Sequence, residues 1–379
     1  MPWKETTNMS QRTEFMEEAK VEGINFSGLC RLFGVSRKTG YKWVKRDREG
    51  GESGLVDRSR RPHCSPRRTG GEMEAQVLGV RQEHPAWGGR KIRRVLQDQG
   101  EAGVPSASTI TAILHRYERI DLDEAQKHKP MVRFEREHPN ELWQMDFKGH
   151  FPLEGGGRCH PLTVIDDHSR YLVGLKACPN ETMETVRAQL TAIFQQFGLP
   201  ERMLMDNGSP WGFDLEARHT LLTAWLIRLG IGISHGRPYH PQTQGKDERL
   251  NRTLLAEVIK QRTFSTLQES QQIFDDWQQV YNYVRPHEAL QLCTPSTQYN
   301  SSPRSFPASL PPVTYPTDDI LRKVDMSGKI YFHGHTFRIS AAFRYHPVAL
   351  RPADQDGIFD VFFCTQKVAR ISLQADNQC

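Results

Sequence analysis

Three carboxylates occupy positions where acids are seldom placed. Asp146 lies in Leu142-Trp-Gln-Met-Asp-Phe147. That run alternates like a strand, with Trp143, Met145 and Phe147 on one side and Leu142, Gln144 and Asp146 on the other. Asp is depleted in strands, so a carboxylate there needs a reason. Asp206 ends the apolar run Arg202-Met-Leu-Met-Asp206, immediately before Asn-Gly208, which reads as a short buried strand entering a tight turn. Glu248 opens a predicted helix in Gly245-Lys-Asp-Glu-Arg-Leu-Asn-Arg-Thr-Leu-Leu255. At about 100° per residue Glu248 shares a face with Leu255 and Ile259, which sets its carboxylate at the margin of the core. Acids delivered from two strand ends and a helix can hold two divalent cations about 3.5–4 Å apart, a pair that stabilises the attacking and leaving oxygens at a phosphorus centre. Taken singly, each is one of 45 acidic residues, most of which are expected to be solvated.

The rest of the chain bounds what such a site could serve. At 379 residues it is too long for one small core, and two to four domains are expected. Hydrophobic residues make up 37% and charged residues 25%, an ordinary globular balance on the polar side. No apolar run is long enough for a membrane span, and the N-terminus lacks the apolar core of a signal peptide. The seven cysteines are scattered without a Cys-x-x-Cys pair, which fits a reducing cytoplasm better than a disulfide framework or a zinc knuckle.

The formal net charge is only +5, yet Arg31–Arg68 holds twelve Lys or Arg against four acids. Clustered positive charge beside a helical pattern is the electrostatic footprint of a nucleic-acid binder. Three helical pieces lie between Glu14 and Arg48. The last two, Phe26–Phe33 and Arg37–Arg46, flank the turn Gly34-Val-Ser36, in which Gly34 suits a left-handed position and Ser36 an N-cap. Leu29, Leu32, Val35 and Val44 are expected to pack the pair. Arg37, Lys38, Thr39, Lys42 and Arg46 then project from the second helix, where a helix-turn-helix reads DNA; the alternative is an αα-hairpin with a basic face. The Gly-, Ser-, Pro- and Arg-rich segment 51–71, with Arg58, Arg60, Arg61, Arg67 and Arg68, reads as a linker able to track a phosphate backbone. A second helical unit spans 72–120, its third helix N-capped by Ser106. Ser108 and Thr109 there suit phosphate or base contacts, or ordinary capping.

After a charged linker at 121–139, residues 140–300 give strands Leu142–Lys148, Leu162–Ile165 and Tyr171–Lys176, a helix stopping at Gly198, the Met203–Asp206 strand, a helix through Leu221–Leu229, the strand Ile231–Ser234 and the Glu248 helix. Independently of any likeness, that order says only mixed α/β sheet. Asp166-Asp-His-Ser169 reads as a polar hairpin. Arg237, Tyr239, His240, Gln242, Lys246 and Arg249, around the start of the Glu248 helix, suit phosphate binding and base stacking. A Pro-rich linker at 301–317 leads to short strands in 318–379, enough for a small β-barrel.

Four segments carry a family likeness in the expected order: Trp143-Gln-Met-Asp146; Asp206-Asn-Gly208; Arg237-Pro-Tyr-His-Pro-Gln-Thr-Gln-Gly-Lys-Asp-Glu-Arg249; and Tyr281-Asn-Tyr-Val-Arg-Pro-His-Glu-Ala-Leu290. The chain resembles bacterial insertion-sequence transposases of the D,D-E type, in the retroviral-integrase superfamily. That resemblance implies a multidomain chain with all-α helix-turn-helix units at 1–50 and 72–120, an α/β ribonuclease H-like core and a small, SH3-like C-terminal barrel. It places Asp146, Asp206 and Glu248 at the metal-binding, catalytic positions, with two Mg²⁺ or Mn²⁺ ions per site. It implies cleavage at an element's ends to free 3′-hydroxyls and their joining to target DNA. The partners would be double-stranded DNA, both terminal inverted repeats and target, and a second copy of the chain or more. The location would be the bacterial cytoplasm, at the nucleoid when DNA-bound. Rival readings are a DNA-binding regulator without chemistry and a plain metal-dependent nuclease of the same fold.

Overall fold

The computed structural model describes residues 7–58, 68–120, 136–206, 208–212, 219–236 and 245–373. They divide into two compact units, Met1–Arg68 and Thr69–Cys379.

The first unit is built from α1 (Asn8–Ala19), α2 (Phe26–Leu32) and α3 (Arg37–Gly50). Thr7, Asn25 and Ser36 cap the three helices by accepting a backbone N–H three residues on. Gly34 turns the chain between α2 and α3 at φ +64°. Phe15, Met16, Leu29, Cys30, Trp43 and Leu55 form the core. A Cβ on Gly40 would stand 2.7 Å from Cys30 Sγ, so only glycine lets α3 cross α2 this closely. Leu32 corrects an expectation: it is 80% exposed. The buried face of the short α2 is Leu29–Cys30, and Leu32 falls outside it.

The second unit begins with α4 (Gly71–Glu83), α5 (Gly89–Asp98) and α6 (Ala107–Arg116), packed through Val77, Trp87, Ile92, Leu96, Ile110 and Ile113. Ser106 caps α6 as expected. Buried Glu74 is neutralised by Arg116 Nη1 at 2.5 Å and accepts from Tyr117 OH at 2.8 Å.

The α/β core follows, with β1 (Trp143–Phe147), β2 (Phe151–Pro152), β3 (Arg158–Asp166), β4 (Leu172–Cys178), β5 (Arg202–Met205) and β6 (Gly232–His235). The main strands run β4–β3–β1–β5–β6. β3 runs antiparallel to both β4 and β1; β1, β5 and β6 are parallel. The side-chain alternation read from β1 decides what covers each face. Trp143 and Met145 join α7 (Met183–Phe197) and α8 (Leu221–Arg228) in one core. The opposite face of the sheet packs Ile165, Leu172 and Leu175 against α9 (Gly245–Glu257) and α10 (Leu267–Gln279). Asp146, one residue out of phase with Met145, therefore looks toward α9.

The C-terminal strands are β7 (Ile320–Lys323), β8 (Lys329–Phe332), β9 (His335–Arg338), β10 (Pro347–Pro352), β11 (Ile358–Phe363) and β12 (Gln366–Ser372). The expected barrel is not formed among the described residues: β12–β11–β10–β7 make a four-stranded sheet and β8–β9 a separate hairpin. These strands bury Phe332, Val348, Leu350, Val361 and Phe363 in the same core as α7 and α8, so they spend their apolar faces on the α/β core rather than on closure. Gln366 pairs with both the N–H and the C=O of Ile233 at 3.0 and 3.1 Å, covering an otherwise open edge strand.

Candidate active site and nucleic-acid-binding elements

β1 and β5 pair Trp143 with Met203 and Gln144 with Leu204. The same sixty-residue offset, carried two residues on, aligns Asp146 with Asp206 just past the paired ends. Burial, and then the charge of Asp206, push the Asp146 carboxyl up to about 6. Burial also raises Asp206, against a Gly208 N–H donated to Oδ1 at 3.0 Å. His235 lies against the same turn, Nδ1 2.8 Å from the Asp206 carbonyl oxygen. Glu181 adds negative charge felt by both aspartates. The strand ends thus gather partly desolvated acids, with Asp206 and Glu181 raising Asp146, an arrangement that a cation would relieve.

Glu248 stands differently. Its carboxylate is exposed and accepts from Arg252 Nη2 at 3.1 Å. The buried stripe of α9 is Asp247, Leu250, Asn251 and Leu254, continued by Val258. That stripe is one residue out of register with the Glu248–Leu255–Ile259 face expected from spacing. Among the described residues no group of three or more His, Cys, Asp or Glu side chains is gathered for a metal ion.

Three residues beside Asp146 escaped the sequence reading. Asn251 Nδ2 donates to Asp146 Oδ2 at 3.0 Å. Thr163, registered opposite Asp146 on β3, has its Oγ1 3.0 Å from both the Asp146 carbonyl oxygen and Asp247 Oδ1. Asp247 is fully buried, and its carboxyl is raised by burial and then by Asp146. The available signal was polar residues at 247 and 251, spaced i, i+4, inside an otherwise apolar stripe.

Lys246 Nζ lies 2.5 Å from Asp167 Oδ2, a nearly buried pair. Asp166 and Asp167 form the expected turn, but buried rather than solvated. Asp166 accepts from the Asn140 and Ser169 backbone N–H groups; Asp167 accepts from Gln144 Nε2 at 2.7 Å and the Arg136 N–H at 2.9 Å. Arg249 is exposed on α9.

In the first helical unit Arg37, Lys38 and Lys42 are exposed at the start of α3. The Thr39 N–H is taken by Ser36, and the Arg46 guanidinium lies 5.0 Å from the Trp43 ring. Arg58 and Arg68 are exposed. Ser108 and Thr109 are exposed with hydroxyls 2.8 and 2.9 Å from Ser106 Oγ, so they take part in the α6 cap. Arg60, Arg61, Arg67, Arg237, Tyr239, His240 and Gln242 lie outside the described residues. Among those described, no helix is long and apolar enough to cross a membrane.

Comparison with known proteins gives the same order of parts. Two integrase core domain models match residues 136–241 and 229–295. A helix-turn-helix domain matches 11–63, a homeodomain-like domain 39–114, and the C-terminal domain of IS481 family transposases 319–378. An uncharacterized 31.7 kDa protein of insertion element IS407 from Burkholderia multivorans is 24% identical over 284 residues, 73% of this chain and 91% of that protein. A 39.2 kDa protein of insertion element IS476 from Xanthomonas euvesicatoria is 25% identical over 57% of this chain and 61% of its own length. A solved simian T-cell lymphotropic virus intasome chain is 16% identical, with a TM-score of 0.37, over 77% of this chain and 99% of its own. Helix-turn-helix units followed by an integrase core define the class. The chain thus carries helix-turn-helix domains, an integrase core domain and the C-terminal domain of IS481 family transposases, and its relatives are insertion-element proteins, a set consistent with an insertion-sequence transposase of the retroviral-integrase superfamily.

Proposed function

We propose that this chain is a DNA transposase, which binds the ends of its element, cleaves there to free 3′-hydroxyls and joins them to target DNA. The observation that carries the reading is the pair Asp146–Asp206 at adjacent parallel strand ends, inside an integrase core that follows two DNA-binding units. In the first reaction water attacks an end phosphodiester and the 3′-oxygen leaves. In the second that 3′-hydroxyl attacks a target phosphodiester, whose own 3′-oxygen leaves. Neither step needs a protein nucleophile.

The donors fit a hard divalent cation: they are carboxylates, and Asp146 is a partly desolvated acid raised by burial and then by the charge of Asp206. Asp146 and Asp206, with Glu248, would hold two Mg²⁺ or Mn²⁺ ions, which supply Lewis-acid stabilisation of the attacking and leaving oxygens. The chain's own residues do the positioning. Asn251 fixes the Asp146 carboxylate, the Gly208 N–H fixes Asp206, and α9 brings Glu248 within one turn of Asn251. α3, with Arg37, Lys38 and Lys42, would grip double-stranded DNA at the terminal repeats. Two ends must meet, which calls for a dimer or larger assembly on DNA.

A second reading has one observation in its favour. Glu248 faces outward to Arg252, as it would in a DNA-binding regulator without chemistry. Incubating the full chain with end oligonucleotides, target duplex and Mg²⁺ separates the cases. Joined products support the transposase, nicks alone a nuclease, and intact DNA a regulator.

A further inference from the structure

The first turn of α9 carries a second acid, buried where Glu248 is exposed. Asp247 is 1% exposed. Its Oδ1 lies 3.0 Å from Thr163 Oγ1, a hydroxyl with a single hydrogen that is also 3.0 Å from the Asp146 carbonyl oxygen. Its Oδ2 is buried and meets no hydrogen-bond partner. A buried oxygen without a partner costs free energy, and a buried carboxylate costs more. Packing alone does not ask for an acid here: the residues that continue this stripe are Leu250, Leu254 and Val258, and a branched aliphatic side chain would extend it at no such cost.

What surrounds Asp247 is the proposed cation site. Thr163 stands opposite Asp146 across the β1–β3 pair. Asn251, four residues on along the same face of α9, holds Asp146 Oδ2. Thr163 and Asn251 therefore tie Asp247 and Asp146 into one cluster, and the unpartnered Oδ2 is the one carboxylate oxygen of Asp247 left to take a ligand. We propose that Asp247 is a further carboxylate of the cation site, giving Oδ2 to an ion held by Asp146. The proposal rests on the reading of Asp146 and Asp206 as cation ligands. It also gives a reason for an acid in the apolar stripe of α9, which a scaffold role leaves unexplained.

The test is Mn²⁺ binding by the full chain without DNA, followed by titration calorimetry, for the parent, Asp247→Asn, Asp247→Ala, Asp146→Asn and Asp206→Asn. Melting curves in chelator establish that each variant is folded, and the alanine variant serves if the asparagine one is not. The expected result is that loss of the Asp247 carboxylate weakens Mn²⁺ binding by about tenfold or more, with melting in chelator no lower than that of the parent. If Asp146→Asn and Asp206→Asn weaken binding while both Asp247 variants bind like the parent, Asp247 is a scaffold residue and this proposal alone falls. If Asp146→Asn and Asp206→Asn also bind like the parent, or the parent binds no Mn²⁺, the metal-site reading falls and takes the proposal with it.

Discussion

Asn251 donates its side-chain amide to Asp146 at 3.0 Å, tying helix α9 to the end of strand β1. The bond fixes one carboxylate oxygen of Asp146. Groups that orient a metal-binding carboxylate typically matter by 10–100-fold. Asn251→Ala should therefore lower the rate of end cleavage by roughly that factor, with little change in melting temperature. Gel assays on labelled end DNA, paired with thermal melts, check it. A variant that cleaves at the parental rate would show that the contact is incidental.

Asp146 also sets a pH dependence. Burial and then the Asp206 charge push its carboxyl up to about 6, above its value in the unfolded chain. The folded state then holds more protons than the unfolded state between about pH 4 and 6, so this group's stabilising contribution is present at low pH and lost as pH rises through about 6. In chelator, Asp146→Asn should be more stable than the parent at pH 7, and the difference should shrink toward pH 4. Paired melting curves across that range test the sign. A difference independent of pH would contradict it.

Glu257 joins the second helical unit to the α/β core. It accepts from Trp87 Nε1 at 3.2 Å, Trp277 Nε1 at 3.1 Å and Arg285 Nε at 3.0 Å. Glu257 and Arg285 are both almost fully buried, and removing one partner of such a pair costs about 3–5 kcal/mol. Glu257→Ala should lower the unfolding free energy by about that amount and shift tryptophan fluorescence through Trp87 and Trp277. Denaturant titration read by fluorescence measures both.

End recognition should reside in the N-terminal helices. If they neutralise roughly 6–10 phosphates, affinity should fall about 10³–10⁵-fold between 50 and 200 mM salt. Arg37→Ala or Lys42→Ala should cost on the order of 1–3 kcal/mol where the side chain reads a base, and mainly reduce the salt slope where it touches phosphate. A footprint of the 1–120 fragment on end DNA against scrambled DNA is the check. Equal protection of both would move sequence reading elsewhere in the chain.

Much of this architecture is legible in the residues because local signals agree with the packing. Ser36 and Ser106 mark helix starts, Gly34 marks a left-handed turn, and the alternation around Asp146 assigns the two faces of β1. The misreadings have physical causes. The buried face of α9 was misassigned because Asp247 interrupts its apolar stripe, so Leu255 and Ile259 mimicked the core side. Leu32 looked like core because the short α2 offers too few turns to fix a face. The C-terminal barrel is unconfirmed, since no closed barrel is found among the described residues; short alternating strands say nothing about which neighbour their apolar sides will meet, and here they share one core with the α/β sheet and its helices. The Asp146–Asn251 and Asp247–Thr163 contacts join elements distant in sequence, and spacing alone cannot supply them.

Asp146 and Asp206 are proposed to work as a catalytic pair, and a joining assay tests this with the full chain, end oligonucleotides and target duplex in Mg²⁺, comparing the parent with Asp146→Asn and Asp206→Asn. Joined products are expected from the parent, none in chelator, and losses of orders of magnitude in both variants while end binding survives. Joined products at the parental level from either variant would contradict it.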